Sequence, residues 1–277
     1  MGLEYELAVT LRNASANDRR KALKTFGDVV WPQPLCMDTL ESIAALLDDE
    51  AGAVCKEAVC ALCRLGAVAA APAARRLSHE KAQVRRRAAE VLANCGGDVS
   101  PHLDELRGCL RDTCKEVHAA AATALGALAH AREDVRREAA QALAGYLENG
   151  GNIVSASDAL LRLGDVAAPF ITNYVQHLQQ KLCSVQPDAR EYAAEELGYL
   201  GSLPAVRERV VHALQDAMTS EGHWMVRASL KNSLCKLGVS RGDSDSDWDE
   251  MSDGVGSSAE NDLDLEEEPA ETAQSYC

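Results

Sequence analysis

Residues able to do chemistry are few and badly placed for it. Cys60 and Cys63 form a C-x-x-C pair, whose thiolates are two ligands of a tetrahedral zinc site or the two halves of a redox couple. A zinc site needs four ligands, and no second C-x-x-C or spaced His pair completes one. On a helix, positions 60 and 63 share a face with Cys55 nearby, which points to core packing. His79-Glu80 is the one adjacent His-Glu pair, and it falls between helical segments. The other histidines are scattered, with His102, His177 and His212 on expected second helices of repeats. No glycine-rich phosphate loop follows a strand, and no strand pattern is visible. The expectation is a chain without a catalytic site, metal or cofactor.

The elements that carry these residues recur. An aliphatic residue is followed by a small or aliphatic residue at +4, Leu at +8 and usually Gly at +12. It reads Val54, Ala58, Leu62, Gly66; then Val84, Ala88, Leu92, Gly96; then Val117, Ala121, Leu125, with Ala129 in place of Gly. It continues as Ala189, Ala193, Leu197, Gly201 and Val226, Leu230, Leu234, Gly238, with a degenerate copy at Asn152, Ala156, Leu160, Gly164. Steps of four keep one stripe of a helix apolar. A Gly just past the stripe suits the left-handed residue that ends a helix.

A second helix is expected after each Gly. RLGAVAAAP (64–72) and RLGDVAAPF (162–170) echo one another, and Pro72, Pro101, Pro169 and Pro204 lie near second-helix starts, where a missing N–H is harmless. Residues 133–149 repeat the stripe from Val135 and are expected to be the second helix of the third unit. Residues 1–50 read as a degraded capping unit, with helices near Leu7–Leu11 and Arg20–Phe26, the segment WPQP (31–34), and a last helix at 38–49. The repeat body is expected at 51–240 and a tail at 241–277. The fold class is all-α: a solenoid of about six to seven helix pairs with a disordered acidic tail.

VRRRAAEVLANCG, VRREAAQAL and AREYAAEELGYLG resemble HEAT repeats of the short, phycobilisome-lyase-like type over roughly residues 15–240. That resemblance implies an acid before each first helix pairing with a base six residues on: Glu50 with Lys56, Asp112 with His118, Glu221 with Arg227, while His79 replaces the acid before Arg85. It also implies an alternative function, that of an enzyme or cofactor-handling protein, either bilin-handling or like deoxyhypusine hydroxylase. The hydroxylase holds a di-iron centre through His-Glu dyads placed two and three residues after the opening aliphatic. Here those positions read Lys56-Glu57, Arg86-Arg87, Ala119-Ala120, Arg137-Glu138, Glu191-Tyr192 and Ala228-Ser229, none of them His-Glu.

The chain has 277 residues, 47% hydrophobic and only 4% aromatic, with Ala and Leu carrying the apolar load. Small side chains suit helices seated closely on one another. The formal charge is -15, but 13 of the 43 acids lie in 242–277, where there is no Lys or Arg. The remaining 30 acids face 28 basic residues, so the body is nearly balanced. Ten cysteines without a secretory leader suggest reduced thiols in a cytoplasmic or nucleocytoplasmic protein. No apolar run is long enough to cross a membrane.

Function is therefore expected in binding: a monomeric, non-catalytic scaffold or adaptor for a protein or peptide, with nucleic acid disfavoured. The basic run RRLSHEKAQVRRR offers Arg75, Arg76, Arg85, Arg86 and Arg87, with Lys81, as an edge for an acidic partner, the tail included. Second helices are expected to line a concave surface, with His102, Arg107, Tyr174, His177 and Arg207 on its rim. In the tail, Trp248 beside Asp249 and Glu250 resembles the tryptophan-acidic motifs read by kinesin light chains. Ser244, Ser246 and Ser257 each precede an acid by three residues, as acidophilic kinases prefer.

Overall fold

The structure, a computed structural model, describes residues 7, 9–12, 14–28 and 35–239. Among these residues it is helical throughout, with no strand. The first layer holds α1 (Ala16–Asp28), α3 (Gly52–Leu65), α5 (Ala82–Asn94), α7 (Lys115–Gly126), α9 (Ile153–Leu163), α11 (Pro187–Leu200) and α13 (Trp224–Lys236). The second layer holds α2 (Met37–Ala45), α4 (Ala70–Ala74), α6 (Leu103–Cys109), α8 (Glu133–Glu148), α10 (Ala168–Leu182) and α12 (Pro204–Ser220). From α3 onward, each first-layer helix packs on its neighbours in that layer and on the second-layer helix that precedes it. The described residues thus form six helix pairs and a closing first-layer helix, an α-solenoid.

Each element follows from the repeat. The +4 and +8 positions are the core: Ala58, Leu62, Ala88, Leu92, Ala121, Leu125, Ala156, Leu160, Ala193, Leu197, Leu230 and Leu234 are all buried. Residues 133–148 do form the second helix of their unit. Pro169 and Pro204 stand in the first turn of α10 and α12, and Pro101 in a short 3₁₀ turn before α6. WPQP (31–34) lies outside the described residues.

The glycines divide into two uses. Gly66 and Gly164 end α3 and α9 in the left-handed region, at φ +71° and +75°. Gly201 does not, although it occupies the same repeat position. Its φ is -65°, and a side chain there would come within 2.6 Å of Leu237 and 3.0 Å of Val210. It is needed for close packing. Gly126 and Gly198 do the same between first-layer helices. A Cβ on Gly126 would sit 2.9 Å from Ala159 Cα, and one on Gly198 would sit 2.7 Å from Ser233 Cβ.

A charged seam runs along the first-helix starts. Arg19, Arg85 and Arg190 each fork onto a carboxylate of the following unit: Asp49 at 2.7 and 2.9 Å, Asp112 at 2.6 and 2.7 Å, Glu221 at 2.6 and 2.9 Å. Each acid also accepts the backbone N–H two residues on, from Ala51, Cys114 or His223. The pairing expected within a unit, six residues apart, takes a different form. Arg85, Arg190 and Arg227 donate to the backbone carbonyls of His79, Ser184 and Glu221 at 2.7, 2.8 and 2.7 Å, and His118 contacts the carbonyl of Asp112. A guanidinium has donors enough for both tasks, so one arginine closes its own loop and grips the next unit.

The fork of Arg85 is the main influence holding Asp112 below the usual carboxylate range, and Arg190 does the same for Glu221. For Asp49 burial is the largest single influence and acts upward. The Arg19 fork and the Ala51 N–H outweigh it, and the net shift is downward.

Two predictions follow from this packing. Ala in place of Gly ordinarily favours a helix by up to about 1 kcal/mol, as Gly145→Ala should, since open space surrounds that position. Gly198→Ala should instead destabilise by about 1–3 kcal/mol through overpacking against Ser233, and urea denaturation of both variants reads the opposite signs. The seam carboxylates have folded-state pKa values below their unfolded ones. Their contribution is therefore complete above about pH 5 and is lost as pH falls through the folded values. Asp112→Asn should cost about 1.5–3 kcal/mol at pH 7 and flatten the acid limb of stability measured against pH.

Candidate functional site

The second layer carries two clefts at equivalent places, each between the ends of consecutive second-layer helices. The first, about 840 Å³, lies between α6 and α8 and is lined by Arg107, Arg111, Lys115, His118, Gln141 and Tyr146, among others. Its floor is built by the end of α8. Gly150, at φ +79°, closes the helix as its N–H reaches Leu147 O (2.9 Å), while the Gly151 N–H reaches Tyr146 O (2.9 Å). Only glycine fits at 151, because a Cβ would lie 2.6 Å from the Tyr146 ring. The Tyr146 hydroxyl accepts the Asn152 N–H at 2.8 Å, and the ring stands edge-on to His118 with centroids 5.5 Å apart. The aromatic floor is thereby fixed by backbone contacts.

The wall of this cleft is basic. Asp112 is its one lining acid, and that carboxylate is already held by Arg85 and the Cys114 N–H. Arg107 meets exposed Asp104 at 3.2 Å. Neither Arg111 nor Lys115 makes an ion pair within the described residues. The second cleft, about 690 Å³ between α10 and α12, is lined by one arginine and two acids, Arg190 against Asp216 and Glu221. Arg190 and Glu221 pair on its wall, and Asp216 meets His212 at 2.8 Å.

The residues expected to bind a partner are dispersed by the fold. Arg75 and Arg76 both approach Glu41, Arg85 belongs to the seam, Arg86 meets Glu90 at 3.3 Å, and Arg87 donates to the Leu47 carbonyl at 2.8 Å. Lys81 holds Asp48 at 2.8 Å. The run is basic in sequence but compensated in space. Tyr174 is not on a rim. It continues the stripe of Ile171, Val175, Leu178 and Leu182 and is buried, its hydroxyl on the equally buried Glu196. Burial, then this bond, pushes its phenol above the usual range. His177, three residues on, is exposed. Arg207 donates to the Leu237 carbonyl, tying α12 to the end of α13, and His102 lies 3.8 Å from Glu105. Trp248, Asp249, Glu250, Ser244, Ser246 and Ser257 lie outside the described residues.

Sequence reasoning reached Arg107 but missed Arg111, Lys115 and Tyr146, and it placed His118 in a side-chain pair. The available signal was the four-residue step 107, 111, 115 leading to the glycine pair at 150–151. For the sulfur groups, Cys60 is exposed and Cys63 half-buried on α3. Burial, with smaller influences from Cys95 and Cys60, pushes the Cys63 thiol up to about 11, away from the thiolate that redox or metal chemistry requires. Within the described residues no group of three or more His, Cys, Asp or Glu is placed to hold a metal, and no helix is long and apolar enough to cross a membrane.

No family model matches the sequence, and no curated protein matches it. Solved structures do. The chain is similar to the karyopherin Kap121p bound to the extreme C-terminus of the protein phosphatase Cdc14p, at 13% identity and TM-score 0.55, over 85% of this chain and 29% of that one. It therefore spans less than a third of the karyopherin. A designed armadillo repeat protein in complex with the peptide (KR)4 matches at 17% identity and TM-score 0.38, over 86% of this chain and 100% of that one. Human deoxyhypusine hydroxylase matches at 21% and TM-score 0.35, over 87% and 98%. At such identities the likeness speaks of architecture alone, and with the two-layer stacking it identifies the chain as an α-solenoid of the HEAT and armadillo type.

Proposed function

We propose that the chain is a non-catalytic, monomeric scaffold that holds a protein or peptide on its second-layer face, seated in the cleft between α6 and α8. The observation that carries this reading is a cleft of about 840 Å³ with a fixed aromatic floor and with two wall cations, Arg111 and Lys115, that make no ion pair among the described residues. Its size suits a few side chains of a ligand, and its floor needs no ordering on binding. The karyopherin of similar fold is bound to the terminus of another protein, and such a segment is the kind of ligand intended here. The tail, in this proposal, carries a second and separate linear motif around Trp248.

A photo-crosslinking amino acid placed at Gln141, which lines the cleft, should capture protein partners in cells. The same probe at Thr123, exposed on first-layer helix α7, should not. Capture from position 123 alone would move the interface to the first layer. For the tail, Trp248→Ala in the full chain should remove a subset of affinity-purified partners and leave those crosslinked at position 141. Loss of both sets together would contradict two separate sites.

A further inference from the structure

Resting on that reading, we propose that the α6–α8 cleft selects a carboxylate-rich peptide segment of its partner. The first ground is charge. Arg107, Arg111 and Lys115 converge on one cleft whose one acid among the described residues, Asp112, is spent on the seam. The second ground is that the fold gives a reason for some of these cations and not for others. Arg107 and Arg111 sit in or just beyond the last turn of α6, where the negative end of the helix favours a cation. Lys115 is the first residue of α7, at the positive end, where a cation is disfavoured. At the N-cap of α5, one repeat position earlier, Lys81 is compensated by Asp48, whereas Lys115 makes no ion pair among the described residues, and the carboxylate of its neighbour Glu116 accepts from the Cys114 thiol at 2.8 Å. An anionic ligand would supply the missing charge.

The third ground is selectivity. The equivalent cleft between α10 and α12 carries Asp216 and a paired Arg190–Glu221, so the basic character distinguishes the α6–α8 cleft from this equivalent. A peptide fits these observations better than a nucleic acid. Polynucleotide binding draws on many phosphate contacts along a basic stripe, and here the cations occupy one cleft on a body with 30 acids against 28 bases. Arg111 presents a planar fork to carboxylates, Lys115 a mobile point charge, and Tyr146 an apolar floor for the stems of glutamate side chains.

Fluorescence anisotropy with a fluorescein-labelled octaglutamate peptide tests this, using the full chain and a chain ending at Arg241, so that the protein's own acids cannot mask the cleft. Binding is expected at 50 mM salt, weakening by about three- to tenfold at 200 mM as exposed charges are screened. The double variant Arg111→Glu/Lys115→Glu should lose at least about tenfold in affinity, since two attractive contacts become repulsive. The double variant Arg132→Glu/Arg137→Glu makes the same change of net charge on exposed residues at the start of α8 and should lose less than about twofold. Equal losses in the two variants, no binding by either form of the chain, or tighter binding of an eight-nucleotide oligo-dT would each overturn the proposal. Crosslinking at position 141 without octaglutamate binding would sink the charge preference and leave the scaffold reading intact. Octaglutamate binding with no captured protein partner would do the reverse.

Discussion

A pair of helices cannot cover its own apolar side, and the fold depends on how closely neighbouring pairs can be seated. The first layer meets this constraint with the smallest side chains available. Ala58, Ala88, Ala121, Ala156 and Ala193 lie fully buried at equivalent positions, and Gly126 and Gly198 remove even the Cβ where the next helix crosses. The low aromatic content has the same origin, because large rings would hold the helices apart. Dispersion between backbones at short range and the burial of Leu62, Leu92, Leu125, Leu160 and Leu197 then supply the cohesion.

Close seating also governs the electrostatics. Bringing first-helix starts together places the acid of one unit within reach of the arginine of the unit before it, with both side chains mostly shielded from water. These pairs are bidentate and backed by backbone N–H donors, which distinguishes them from exposed pairs such as Arg132–Asp134 that contribute little. Where Cys55 replaces arginine after Val54, its thiol still donates to the Asp49 carbonyl at 3.1 Å, so the local loop is closed while the grip on the following unit is absent. The second layer is under looser geometric demands, and there the surface opens into clefts whose charge varies from unit to unit.

The architecture was largely legible in the sequence because it is periodic: steps of four, then a glycine, then a second helix. The assignment of 133–148 to the second layer rested on the spacing of Val135 from Val117 alone. What periodicity does not encode is the direction in which a polar side chain is spent. Arg75–Arg87 read as an open basic edge, yet Arg75, Arg76, Arg85 and Arg87 answer an acid or a carbonyl of a distant segment, Glu41, Asp112 or Leu47, and Arg86 answers Glu90 one turn on. Tyr174 read as a rim residue, but its place in the stripe of α10 buries it, and Glu196 on α11 satisfies its hydroxyl. Gly201 matched the helix-ending position by count and serves packing instead. The α6–α8 cleft escaped notice since its walls come from two stretches, 107–118 and 141–152, that only the fold brings together.

The packing of each helix on its immediate neighbours in the layer has a kinetic side. Contacts between helices join elements adjacent in the chain or about one repeat apart, so little loop-closure entropy must be spent before a unit gains its partners. Folding of such a chain has no single obligatory nucleus: any two adjacent pairs can form the first template, and growth proceeds outward by adding one pair at a time. Among the described residues, the α6–α8 cleft sits on units with neighbours on both sides, so its opening is opposed from two directions.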